Sequence, residues 1–230
     1  MQLRKLVVEA IGTFFLVLTI GMTIIDPGAG ALAPLAIGAV LIVMVYAGGH
    51  ISGAHYNPAV TLAVFIRGKA TKADVFGYWG AQIAGAALAA FIVNGFKAGV
   101  LVATAPVNTV PALLAEFLFT FALAYVVLNV ATTRGTEGNS YYGAAIGFTV
   151  MAGAFAVGPV SGAVFNPAVA VGVTIMGLFA VSDIWVFLVA NFLGAACAGL
   201  LFNVFDLGND KPTTAAVADQ GKLRQAAATK

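Results

Sequence analysis

The side chains in this sequence that could do chemistry are few, and the informative ones come in pairs. The stretch Ser52-Gly53-Ala54-His55-Tyr56-Asn57-Pro58-Ala59-Val60 returns as Ser161-Gly162-Ala163-Val164-Phe165-Asn166-Pro167-Ala168-Val169. Asparagine directly before proline marks a helix start: asparagine is a favoured N-cap, and proline's missing N–H falls where no intrahelical bond would form. Asn57 and Asn166 therefore read as caps whose side-chain amides can face a lumen, followed by Pro58-Ala59 and Pro167-Ala168. Each helix start carries roughly half an elementary positive charge, and both point at the same place. Such groups exchange hydrogen bonds with small uncharged molecules. No Ser-His, Cys-His or metal-ligand set accompanies them, so the reading contains no enzyme, no metal and no cofactor.

Glu9 and Glu116 form a second pair, preceding their Asn-Pro-Ala copies by 48 and 50 positions. An acid inside an apolar span by default suggests a functional site or a proton relay. Here the matching positions, and the lack of any basic partner in the spans, favour a supporting role: each glutamate accepts hydrogen bonds from a Ser-Gly-Ala loop. His55 and His50 flank the first loop and read as packing donors, with gating by protonation as the alternative.

The elements that must position these residues follow from hydropathy. Of 230 residues 61% are hydrophobic and 9% charged, with mean hydropathy +0.99; soluble domains carry about 25% charged residues. The chain is therefore an all-α, multi-pass membrane protein, and its net charge of +2 does not suggest a nucleic-acid partner. Spans are expected near 6–25, 32–49, 75–96, 111–131, 142–160 and 183–204. Arg4 and Lys5 before the first could mimic a signal peptide, but Glu9 within it and its spanning length argue for a retained helix. The segments 57–67 and 166–176 are too short to cross a hydrocarbon core of about 30 Å and read as re-entrant half-helices. Irregular backbone at membrane depth survives only where it is buried in protein or lines a watery cavity, so the Ser-Gly-Ala loops imply a cavity.

Three spans per half make the second half an upside-down copy of the first, a 3+3 inverted repeat with its shared site near the midplane. The division is 1–96 for the first repeat, 97–110 for the connection, 111–205 for the second repeat and 206–230 for a solvated, disordered tail. With both termini cytoplasmic, Arg4, Lys5, Arg67, Lys69, Lys72, Arg134, Lys211, Lys222, Arg224 and Lys230 lie inside and Lys97 alone outside, a strong positive-inside bias. Gly85, Ala89, Gly147, Gly153 and Gly194 are expected at close helix contacts. The single cysteine, Cys197, excludes an internal disulfide and is expected to be buried in the last span.

Over about residues 3–205 the chain resembles the aquaporins, the major intrinsic protein family; two Asn-Pro-Ala copies together with glutamate-bearing first and fourth spans carry the resemblance. It implies six helices and two half-helices in a right-handed bundle, a pore through each protomer, a homotetramer in the cell membrane, and passive passage of water and small uncharged solutes. Stripping an ion of its hydration costs tens of kcal/mol in the idealised limit, whereas a neutral molecule loses about 2–7 kcal/mol per unmade hydrogen bond. Such a lumen therefore excludes ions and protons. The resemblance also implies an outer constriction at Ile37, Ala154, Ala163 and Val169, and there the chain departs from the water-selective pattern. Water-selective members have an aromatic residue, a histidine and an arginine at the first, second and fourth of these, and glycerol facilitators keep the arginine. Val169 in its place is similar to some vacuolar plant aquaporins and bacterial metalloid-permeable channels. The expectation is a wide, apolar filter passing ammonia, urea, glycerol, hydrogen peroxide or undissociated metalloid acids. The alternatives are a proton-coupled secondary transporter using Glu9 or Glu116, and a closed structural membrane protein.

Overall fold

A computed structural model describes residues 2–208 and is all-helical among them. Helices α1 (Leu3–Ile24), α2 (Ala33–Ser52), α3 (Pro58–Ile66) and α4 (Lys72–Phe96) are followed by α5 (Thr109–Thr132), α6 (Tyr142–Ser161), α7 (Pro167–Ile175) and α8 (Ile184–Val204). The order long, long, short, long is thus repeated. The six long helices are apolar and long enough to cross a membrane, whereas α3 and α7 have nine residues each, about 13.5 Å at 1.5 Å per residue.

The helices start and stop where local chemistry directs. Thr71 and Asp74 form a reciprocal capping box that begins α4 a turn earlier than its apolar run suggests. Gly53 and Gly162 end α2 and α6 at φ 89° and 85°, left-handed angles that favour glycine.

Packing follows the repeat. α1 lies against α4 and α5 against α8, α2 meets α6 across the repeat boundary, and each half-helix rests on the opposite repeat's last span, α3 on α8 and α7 on α4. Backbones approach closely at small residues. A Cβ on Gly85 would lie 2.4 Å from the Ala10 carbonyl, one on Gly194 2.5 Å from that of Phe117, and one on Gly147 2.6 Å from that of Gly38. Large apolar side chains such as Phe76, Leu88, Phe91, Leu193 and Leu200 point outward instead. This distribution suits a bundle in lipid, where close packing rather than water exclusion holds helices together.

Lys97, the one cation expected outside, ends α4 and donates to the Pro27 carbonyl at 2.6 Å, tying the end of α4 to the turn after α1. The connection after it folds over the end of α7: Ala105 N–H donates to Leu178 and Thr104 Oγ1 to Gly177. Of the expected tail, Asp206–Gly208 form a turn after α8, and residues 209–230, with Lys211, Lys222, Arg224 and Lys230, lie outside the described residues.

Two expectations are corrected. Cys197 is exposed on the outer surface of α8, not buried. In the α8 sequence nearly every residue is apolar, so a face turned to lipid and a face turned to protein look alike. His50, expected to pack beside the first loop, is exposed on the last turn of α2.

Candidate functional site

The two Ser-Gly-Ala loops descend from the ends of α2 and α6 in the same unusual conformation. After the left-handed glycines, Ala54 and Tyr56 have φ of 51° and 48°, and Ala163 and Phe165 53° and 49°. A left-handed L-residue costs roughly 1–2 kcal/mol, so four such residues need support from outside the loops.

The glutamates provide it. Glu9 receives Ser52 Oγ at 2.6 Å and His55 N–H at 3.0 Å on Oε1, and Tyr56 N–H at 2.7 Å and Gln82 Nε2 at 2.8 Å on Oε2. Glu116 receives Ser161 Oγ at 2.7 Å and Val164 N–H at 2.8 Å on Oε1, and Phe165 N–H at 2.7 Å and Asn191 Nδ2 at 3.0 Å on Oε2. Both glutamates are completely buried. Their four-donor shells turn the loop N–H groups away from the cavity. The carbonyls of Ala54, His55, Ala163 and Val164 receive no protein donor among the described residues. These segments border the cavity, which leaves acceptors for a passing solute.

Each asparagine is fixed at both ends. Asn57 Oδ1 caps α3 by accepting Ala59 N–H at 2.8 Å, while its Nδ2 donates to the Phe165 carbonyl of the opposite loop at 2.9 Å. Asn166 mirrors this, with Oδ1 accepting Ala168 N–H at 2.9 Å and Nδ2 donating to the Tyr56 carbonyl at 2.9 Å. The half-helices therefore meet head to head and are cross-tied. A side-chain amide has two N–H donors, so each asparagine, bordering the cavity, keeps one beyond the cross-tie.

The first repeat adds a polar cluster around Thr61, whereas in the second Thr120 Oγ1 donates to Asn191 Oδ1 at 3.3 Å. Thr61 Oγ1 donates to the Asn57 carbonyl and receives Gln82 Nε2 at 3.2 Å, so His55 Nδ1, 3.0 Å away, must be the N–H bearing nitrogen. In the neutral ring Nε2 is then the acceptor. His55 also meets the ring of Tyr78 edge-on, and Tyr78 donates to the Ser52 carbonyl at 2.7 Å. In the second repeat Val164 and Ala170 stand in place of His55 and Thr61.

Around the asparagines runs a continuous cavity of about 560 Å³, bordered by Ile24 and Ala31 at one end and Val127 and Ile146 at the other. Ile37, Ala154, Ala163 and Val169 all border it, as does His55. Gln82, Asn191 and Thr61 were not singled out from the sequence. Gln82 and Asn191 each stand 25 positions after Asn57 and Asn166. That matched spacing of amides in apolar spans was the available signal.

The model of the family described as major intrinsic protein matches residues 1–202. The chain belongs to that family. It is 37% identical to aquaporin NIP1-3 of Oryza sativa subsp. japonica, over 91% of this chain and 76% of that one. It is 33% identical to nodulin-26 of Glycine max, over 99% and 87%. The fold is similar to the X-ray structure of the aquaglyceroporin from Plasmodium falciparum, with TM-score 0.74 at 20% identity over 90% of this chain and 98% of that one. As a member of this family the chain is an integral membrane channel for water and small neutral solutes. Members of the major intrinsic protein family are channels rather than enzymes.

Proposed function

We propose that this channel passes neutral solutes larger than water, among them urea, glycerol, ammonia, hydrogen peroxide and undissociated metalloid acids, through a wide filter at Ile37, Ala154, Ala163 and Val169. The observation that carries the reading is Val169. It borders the cavity three residues after Asn166, where a fixed cation would otherwise narrow the path and bind solute oxygens. Valine offers no donor, and Ala154 and Ala163 leave space beside it. Selectivity in pores of this kind rests on diameter, lining hydrogen-bond groups and electrostatic barriers. With the first relaxed, the asparagine pair and the two half-helix N-termini remain to oppose cations and protons.

The two halves, 1–96 and 111–205, act as inverted copies in a homotetramer of the cell membrane, each protomer with its own pore and both termini cytoplasmic. The lysine and arginine distribution supports that orientation. The loop-supporting role of Glu9 and Glu116 is favoured over proton carriage because both oxygens of each acid are occupied and neither side chain is accessible. The experiment is stopped-flow light scattering on proteoliposomes with water, urea and glycerol gradients. Urea and glycerol fluxes above those of protein-free vesicles are expected. Solute flux equal to protein-free vesicles beside rapid water flux would refute the wide filter.

A further inference from the structure

Asn57 and Asn166 stand 109 positions apart, and the same step relates Ala54 to Ala163, Val60 to Val169 and Ile37 to Ile146. Three of the four positions assigned to the outer constriction therefore have a counterpart of identical residue type in the other repeat. The backbone supports the equivalence closely. Ala54 and Ala163 differ by 2° in φ (51° and 53°), and the cap residues Asn57 and Asn166 have φ, ψ of −156°, 119° and −157°, 115°. Ile37 is the fifth residue of α2 and Ile146 the fifth of α6, helices that begin at opposite faces of the inverted repeat. All six residues border the one cavity.

From this we infer that the pore has a second, inner collar made by Ala54, Val60 and Ile146, and that these residues set solute size together with the outer collar. The inference rests on the wide-filter reading above. A two-fold lumen with an arginine on one side has a single tight, charged neck. Without the arginine the two sides become chemically alike, and an inner ring of the same side chains presents the same apolar opening. The fourth corner breaks the match in one direction: Val45, buried, takes the place of Ala154. Val45, unlike Ala154, does not border the cavity, so the inner collar is a ring of three residues. Its polar neighbour also differs, His55 standing where the outer side has Val164. A solute that clears the outer collar is thus sized again, beside the one histidine that borders the cavity.

The test uses thiol accessibility and bulk in the full-length protein. In a Cys197→Ser background, which removes the only native cysteine, Val60→Cys and Val169→Cys are reconstituted separately, and water flux is followed on adding a small water-soluble methanethiosulfonate. Valine and cysteine are close in size, so folding is little disturbed. Block of both variants is expected; Val60→Cys left unblocked overturns the inner collar. In the second arm Val60→Phe and Val169→Phe are compared for the ratio of glycerol to water flux. Each is expected to lower it roughly fivefold, the effect of about 1 kcal/mol on a barrier. A Val60→Phe ratio equal to the parent's beside a reduced Val169→Phe ratio also overturns it. If the parent carries water but no glycerol, the wide filter fails, and the thiol arm, read on water, still decides the collar.

Discussion

Glutamine in place of Glu9 changes one carboxylate oxygen into an amide nitrogen at nearly constant volume, inside a shell that consists of donors only. Each oxygen of Glu9 faces one backbone N–H that cannot rotate away, from His55 on Oε1 and Tyr56 on Oε2. Whichever way the amide is placed, its NH2 points at one of them. At least one charge-assisted bond, worth about 1.5–3 kcal/mol, is lost, and one buried N–H is left unsatisfied at about 1–3 kcal/mol. The sum, about 2.5–6 kcal/mol, is a large share of the 5–15 kcal/mol typical of a folded domain. Ala54 and Tyr56 would then hold their left-handed angles without their anchor. The expected outcome for Glu9→Gln is a lower thermal midpoint in detergent and reduced water flux per reconstituted protein. Glu116→Gln should behave alike because its shell has the same composition. Circular dichroism melts and stopped-flow flux on the same preparations are the assay. A Glu9→Gln protein with an unchanged midpoint, whose transport fails only under an imposed pH gradient, would refute the scaffold role and favour a proton carrier.

Val169→Arg should lower glycerol and urea flux more than water flux, with a change in the solute-to-water ratio of roughly tenfold, equivalent to about 1.4 kcal/mol; an unchanged ratio in vesicle swelling would place selectivity elsewhere. Asn57→Ala removes the α3 cap, a loss of about 0.5–2 kcal/mol, and strips the Phe165 carbonyl of its cross-repeat donor; lower thermal stability and measurable cation leak in a dye-based flux assay are expected. Gly194→Val drives a side chain onto the Phe117 carbonyl and should destabilise the α5–α8 contact by about 1–3 kcal/mol, read as a lower melting midpoint. Mercurial reagents should leave water flux unchanged, because Cys197 is exposed on α8 and does not border the cavity.

Much of the site is legible in the chain because membrane physics narrows the options. Two Asn-Pro-Ala copies after spanning runs read as the starts of half-helices, since an asparagine cap followed by proline suits a first helical turn and about ten residues cannot cross. The close contacts of Gly85, Gly147 and Gly194 were equally readable, because in lipid small residues mark where backbones meet. The orientation of side chains on a given span was not. The exposure of Cys197 is not readable because α8 is apolar along most of its length, and a cysteine is small and apolar enough to face either lipid or protein. Gln82 and Asn191 were passed over because a lone amide in a span has many uses until its partner is known.

By itself the sequence determined that the backbone must leave helical form twice at membrane depth and restart on capped asparagines, because hydropathy, length and the proline restriction are properties of contiguous residues. It also determined that no cation stands after the second Asn-Pro-Ala. Only the tertiary structure decided that each asparagine reaches across to the opposite loop's carbonyl, that Glu9 and Glu116 each gather four donors, and that Ile37 and Ile146 border one cavity from opposite ends. Those are relations between segments roughly 40–110 positions apart, set by how the inverted halves pack and by no local preference of the chain.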